Sequence, residues 1–97
     1  MDGKELDKHI DELCEIFLEL KSVAQCRAFL DDLCTYKEIE QMAKRVYAAR
    51  LFLDGNNTYN DITEATELSS ATVSRVSRAL SHGSGGYKSA LKGEGKL

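Results

Sequence analysis

The chain has 97 residues, of which 42% are hydrophobic and 30% are charged, a composition typical of one small globular domain and not of a disordered or fibrous chain. It contains no apolar run near the ~20 residues that cross a bilayer and no signal-peptide pattern, so we expect a cytoplasmic protein with no membrane partner. The three cysteines form no C-x-x-C pair, which argues against a metal site and predicts free thiols packed as small apolar groups.

The charge is distributed unevenly along the sequence. The whole chain carries −3, but residues 1–40 hold eleven acidic and five basic side chains, whereas residues 69–97 hold five basic side chains and one acidic. This asymmetry predicts that the C-terminal end faces a polyanion and the N-terminal end faces water or protein. The alternative for the acidic part is an ordinary solvated helix surface.

The first segment, from about Lys4 to Lys21, has the apolar spacing of a coiled-coil seam. The seam residues are Leu6, Ile10, Leu13, Phe17 and Leu20, and they alternate steps of four and three. Ile16 and Leu18 widen the apolar arc, which predicts that this helix meets more than one neighbour.

Two further helices are predicted by capping patterns. Ser22 and Gln25 match a capping box that begins a short second helix ending near Leu33. Thr35 and Glu38 repeat the pattern and begin a third helix that ends at Asp54, before Gly55. These three helices carry more apolar surface than a chain of this size can comfortably bury, so we expect a homodimer, the alternative being a monomeric bundle.

A helix-turn-helix is predicted over residues 58–81. Thr58 and Ser69 are the expected N-caps of the fourth and fifth helices. In the fifth helix Val73, Val76 and Leu80 fall on one stripe and are expected to be buried, while small and cationic residues occupy the opposite face. Such motifs usually have glycine near Glu67, where the turn needs positive φ, and glutamate there costs about 1 kcal/mol.

The amino-acid composition changes after Leu80. Residues 81–86 contain three glycines and are expected to interrupt the helix, and residues 87–92 have room for one or two more helical turns within a glycine-containing tail, 82–97. The chain has no proline and no strand pattern. The predicted fold class is therefore all-α, with five to six helices.

The helix-turn-helix predicts double-stranded DNA as a partner, because its second helix enters the major groove with its N-terminal residues leading. The expected DNA-binding residues are Tyr59, Asn60, Ser69, Ser70, Ala71, Thr72, Ser74, Arg75 and Arg78. The alternative is a protein-interaction module that uses the acidic helices without binding DNA. An enzyme is not expected, since the sequence has no nucleophile with a base in register and no phosphate-cradling loop.

Four segments, 35–40, 43–46, 51–55 and 69–77, resemble the tryptophan-repressor superfamily, and the tail around Tyr87 is more similar to its uncharacterised bacterial Trp-repressor-like branch. The resemblance covers about Leu33 to Leu91. It implies an intertwined homodimer in which the first, second and last helices interlock between subunits, and residues 1–54 are expected to be the dimerisation helices. It also implies a sequence-specific transcriptional regulator, expected to be a repressor, that presents two motifs ~34 Å apart to a pseudo-palindromic operator.

The resemblance further implies an effector site at Arg45 and Arg75, because these positions match two arginines that flank the bound indole in the tryptophan repressor. A guanidinium suits a carboxylate and stacks on an aromatic ring. Val76 and Ala79 replace a glycine and a serine of that site, which argues against tryptophan as corepressor, and no cofactor is expected. The two arginines would instead bind another small anionic or amino-acid-like effector, pair with acidic groups such as Glu38, or contact DNA.

Overall fold

The computed structural model describes residues 1–92, which form six helices and no strand, as the all-α prediction requires. The helices are α1 (Gly3–Glu19), α2 (Val23–Leu33), α3 (Tyr36–Asp54), α4 (Tyr59–Thr66), α5 (Ser70–His82) and α6 (Gly86–Lys92). The end of the predicted tail, 93–97, lies outside the described residues. Among the helices described, none has both the length and the apolar character needed to cross a membrane.

Side-chain caps set most of the helix starts. The Ser22 hydroxyl accepts the Gln25 N–H at 3.0 Å, while the Gln25 side chain accepts the N–H of Lys21 at 2.7 Å, one residue earlier than in a regular capping box. At α4 the capping box is complete, since Thr58 and Asp61 each accept the backbone N–H of the other. These bonds satisfy amides that have no partner inside the helix.

Two helix ends differ from the prediction. α1 ends at Glu19 instead of Lys21, because Leu20 has already left the helical region, with φ −70° and ψ 139°. α5 continues through His82, beyond Leu80, where the prediction interrupts the helix, and it stops where Gly83 donates its N–H to the Ala79 carbonyl at 3.0 Å. A Cβ at Gly83 would lie 2.3 Å from that same oxygen, so only glycine fits this end of the helix.

The first of two compact units is Met1–Tyr36 and contains α1 and α2. The Phe17 and Phe29 rings meet edge to face, with centroids 5.4 Å apart. Neither helix has a buried residue, although all of this unit is described. All three cysteines are free thiols; within this chain Cys14 is exposed, whereas Cys26 and Cys34 are partly buried.

The second unit begins at Lys37 and combines α3 with the helix-turn-helix and α6. Its buried apolar residues are Ala48, Ala49, Ile62, Leu68, Val73 and Val76, with Leu80 half-buried against them. α3 was predicted to be one of the dimerisation helices, but it also supplies two alanines to the core beneath the motif. Ala48 and Ala49 therefore lie in the same buried cluster as Val73 and Val76 of α5.

Candidate nucleic-acid interface and adjoining groove

The turn between α4 and α5 is held in one conformation by local hydrogen bonds. Glu67 has φ 61° and ψ 21° and donates its N–H to the Thr63 carbonyl at 2.9 Å, which confirms the predicted positive φ at this residue. The buried Thr66 hydroxyl donates to the Ile62 carbonyl at 2.7 Å and accepts the N–H of Leu68 at 3.3 Å. The turn therefore fixes the direction in which α5 leaves α4.

The structure presents the polar residues of α5 on the side opposite the core. Val73 and Val76 are 0% and 1% exposed, so the predicted buried stripe is present. Six of the predicted DNA-binding residues in α5 and its N-cap are exposed: Ser69, Ser70, Ala71, Ser74, Arg75 and Arg78. Thr72 is half-buried, and its N–H is accepted by the Ser69 hydroxyl at 3.1 Å. We call this exposed set of six the α5 face.

The electrostatics of this region favour an anion. From Ser69 to Lys92 the sequence has four basic residues and no acidic residue. The N-terminal amides of α5 add the positive end of the helix dipole. The nearby Glu67 carboxylate lies 3.7 Å from the Lys44 ammonium, which offsets its negative charge.

The two residues predicted at the start of α4, Tyr59 and Asn60, are both exposed. The Tyr59 ring meets Phe52 edge to face at a centroid distance of 5.1 Å, and its hydroxyl donates to the Ser77 hydroxyl at 2.6 Å. The protein thus holds the Tyr59 hydroxyl in place, and contact with a DNA backbone remains a prediction for both residues.

Lys44 joins α3 to the turn, a role that sequence reasoning missed. Its ammonium lies 3.1 Å from Glu40 and 3.7 Å from Glu67. The hydrogen bond that the Lys44 ammonium donates to Glu40 raises the pKa of Lys44, with desolvation opposing the shift. The spacing of Glu40 and Lys44 along one helix was readable from the sequence. The contact of Lys44 with Glu67 depends on how the helices pack, and it was not readable from the sequence.

A groove of about 480 Å³ lies between α3, α5 and α6, and the structure brings the two predicted effector-binding residues, Arg45 and Arg75, to it. Its remaining lining is Ala71, Thr72, Val76, Ala79 and Tyr87. No ion pair joins either arginine to a carboxylate within residues 1–92, so the suggested pairing of Arg45 with Glu38 is not observed. Tyr87 was not predicted to line this site, because its distance along the sequence gives no sign of the contact.

The histidine, cysteine and acidic side chains of the described residues form no group of three or more that could hold a metal ion. The two histidines, His9 and His82, lie on different helices, and His9 is 3.6 Å from Glu12.

A buried α5 stripe, an exposed basic α5 face and a left-handed turn before α5 together define a helix-turn-helix protein. Residues 8–94 match the family model described as Trp repressor protein, and the chain belongs to this family.

The relatives agree with this assignment. YerC, an uncharacterised protein of Bacillus subtilis strain 168, is 44% identical over 84 residues, which are 87% of this chain and 80% of YerC. A TrpR-like protein from Eubacterium eligens superposes with a TM-score of 0.83 at 34% identity, covering 94% of this chain and 93% of that one. A Staphylococcus aureus protein, provisionally assigned as a Trp repressor, gives a TM-score of 0.80 at 34% identity, covering 94% and 91%.

Proposed function

We propose that the chain is a sequence-specific DNA-binding transcriptional regulator, a repressor, that binds a pseudo-palindromic operator as a homodimer. The α5 face is the observation that carries the proposal. Its residues are small, hydroxylated or cationic, which is the mixture that enters a major groove and meets base edges and phosphates. Membership of a family of regulators supports the same function.

In this proposal different residues of the α5 face contact different parts of the DNA. Ser69 and Ser70, with the first amides of α5, bind a phosphate. Ala71 approaches a thymine methyl group, and Arg75 and Arg78 contact phosphates or a guanine edge. The buried valines beneath them hold the helix as a rigid platform, since neither can move without opening the core.

The homodimer is supported by the apolar surface of the first unit. Leu6 and Ile10 of α1 are 50% and 47% exposed, and Leu18 is 83% exposed. An apolar surface of this kind on helices without a buried residue marks an interaction site. A second copy covers it symmetrically and places a second α5 for the other half of the operator.

A small anionic effector is the proposed regulator of this activity. Arg45 and Arg75 line one groove without a carboxylate partner in residues 1–92. Since Arg75 also belongs to the α5 face, an anion held in the groove is coupled to DNA binding through a shared side chain.

The test is the salt dependence of DNA binding by the double variant Arg75→Ala, Arg78→Ala. The probe is a duplex that the purified wild-type chain selects from a random pool, and affinity is measured by fluorescence anisotropy between 50 and 200 mM salt. We expect weaker binding and a slope of log affinity against log salt reduced by about 2, because each phosphate contact contributes about 0.9.

Arg50→Ala is the matched control, since Arg50 is an exposed arginine of α3 outside the α5 face. It should leave both the affinity and the slope close to those of the wild type. A double variant that binds as tightly as the wild type at every salt concentration would refute the proposal.

The second candidate is a protein-interaction module, which the exposed apolar residues of the acidic first unit favour. It predicts that the chain captures a specific partner protein and that its weak association with DNA does not depend on Arg75 and Arg78. The same titration separates the two functions.

A further inference from the structure

We propose that Lys44 is a positioning residue for DNA recognition, which acts by tying the turn before α5 to α3 through the Glu67 carboxylate. Glu40, Lys44 and Glu67 together form what we call the charge bridge. This inference rests on the proposed function and extends it, because it assigns part of the sequence preference of the α5 face to a residue outside the helix-turn-helix.

The charge bridge connects two elements through one ammonium group. The Lys44 Nζ lies 3.1 Å from a Glu40 carboxylate oxygen, one turn earlier in α3, and 3.7 Å from a Glu67 carboxylate oxygen in the turn. The Lys44 side chain is 25% exposed, and the hydrogen bond that its ammonium donates to Glu40 raises the pKa of Lys44. Glu40 thus holds the ammonium that the Glu67 carboxylate meets.

The backbone of Glu67 gives an independent reason to assign a role to its side chain. With φ 61°, it is the single non-glycine residue with positive φ among residues 1–92. Glycine would adopt the same conformation without strain, but it has no side chain that could reach Lys44. Strained backbone of this kind clusters where a protein positions its functional groups.

Glu67 lies directly before the first residues of the α5 face. Ser69, two residues later, is the N-cap of α5 and is exposed, whereas Val73 and Val76 hold the middle of the helix in the core. Leu68, between the two, is buried and attaches the turn to the core by apolar contact. The charge bridge is therefore a second attachment of the same turn, at the end of α5 that the valines restrain least.

A change in charge and a change in position have different effects on DNA binding. Removing the Lys44 cation weakens attraction to any duplex and removing the Glu67 anion strengthens it, because every sequence has the same phosphate backbone. Misplacing α5 weakens binding only where base edges are read. The ratio of the affinities for a preferred and a scrambled duplex therefore reports the position of α5 and cancels most of the effect of charge.

The experiment measures this ratio by fluorescence anisotropy, with a duplex that the purified wild-type chain selects from a random pool and a scrambled duplex of the same composition. Lys44→Met and Glu67→Gln should each lower the ratio about threefold, the effect that a partly exposed ion pair allows. The double variant should lose no more than either single variant, because both changes break the same contact. Lys44→Arg, which keeps the cation, should retain the wild-type ratio.

Glu64→Gln is the matched control, because it removes the same charge from an exposed residue of α4 that forms no ion pair within residues 1–92. It should leave the ratio unchanged, and circular dichroism confirms that each variant is folded. A ratio that Lys44→Met does not lower, or losses that add in the double variant, would overturn the inference while the proposed function stands. A wild-type chain that prefers no duplex would refute the proposed function, and this inference with it.

Discussion

Tyr59 shows how a single exposed side chain can fix the geometry of a DNA-binding motif. Its ring packs on Phe52 of α3 and its hydroxyl bonds to Ser77 of α5, so one residue at the start of α4 touches both neighbouring helices. The hydrogen bond lies near the surface, and we expect it to contribute at the low end of the usual range.

The prediction at this scale is a double-mutant cycle. Tyr59→Phe and Ser77→Ala should each lower the free energy of unfolding by about 0.5–1 kcal/mol, and the double variant should lose less than the sum, because both changes remove the same hydrogen bond. Urea unfolding followed by circular dichroism measures all four proteins. Strictly additive losses would mean that the two hydroxyl groups do not interact in solution.

Residue-level prediction from the sequence succeeded where a local period decides the outcome. The buried stripe of Val73 and Val76 and the exposed position of Arg75 follow from 3.6 residues per turn. The approach of Tyr87 to Arg45 joins residues far apart in the sequence, and no local pattern encodes it. The convergence of Arg45 and Arg75 on one groove was anticipated only through the family resemblance.

At the scale of elements, the turn between α4 and α5 carries a conformational cost. Glu67 occupies a left-handed conformation that disfavours residues with a side chain, and it is the single non-glycine residue with positive φ among residues 1–92. Its ion pair with Lys44 offsets little of that cost, since the Glu67 side chain is 82% exposed and such pairs are weak.

We therefore predict that Glu67→Gly raises the free energy of unfolding by about 1 kcal/mol. Glu64→Gly is the matched control, because Glu64 is an exposed residue inside α4, where glycine should lower the free energy of unfolding by about 1 kcal/mol. Chemical denaturation of both variants measures the difference. Equal destabilisation by the two changes would show that the turn is not strained by Glu67.

Helix boundaries were predictable where a side chain caps the helix. Thr58 and Ser69 begin α4 and α5 as expected, because each hydroxyl accepts an amide that the helix leaves unpaired. The end of α5 was less predictable. Three glycines lie within residues 81–86, but the helix retains Ser81 and His82 and stops only at Gly83. The Ser81 hydroxyl donates to the Ser77 carbonyl at 3.2 Å.

At the scale of the whole molecule, the uneven burial of the two units is the main finding. The unit from Lys37 onward has its own core, while the unit Met1–Tyr36 has helices with no buried residue. The seam spacing in α1 predicted an apolar stripe, and Leu6 and Ile10 of that stripe are 50% and 47% exposed. The identity of the protein that binds this apolar stripe cannot be read directly from the sequence of one chain.

We predict that Ile10→Lys weakens self-association, because it places a charge in the apolar stripe of α1. Asp11→Lys is the matched control, since it adds a lysine at the next position without changing the stripe. Sedimentation equilibrium should give a dimer for the wild type and for the control, and a larger dissociation constant, by tenfold or more, for Ile10→Lys. Equal dissociation constants for all three proteins would place the contact between copies elsewhere.

The most direct test of the proposed function is the selection of bound fragments from genomic DNA by the purified wild-type chain. We predict enriched fragments that carry two inverted half-sites with centres about one helical turn, ~10 base pairs, apart, because two α5 helices of one dimer read successive major grooves. Fragments without a shared sequence, or half-sites in direct repeat, would contradict it.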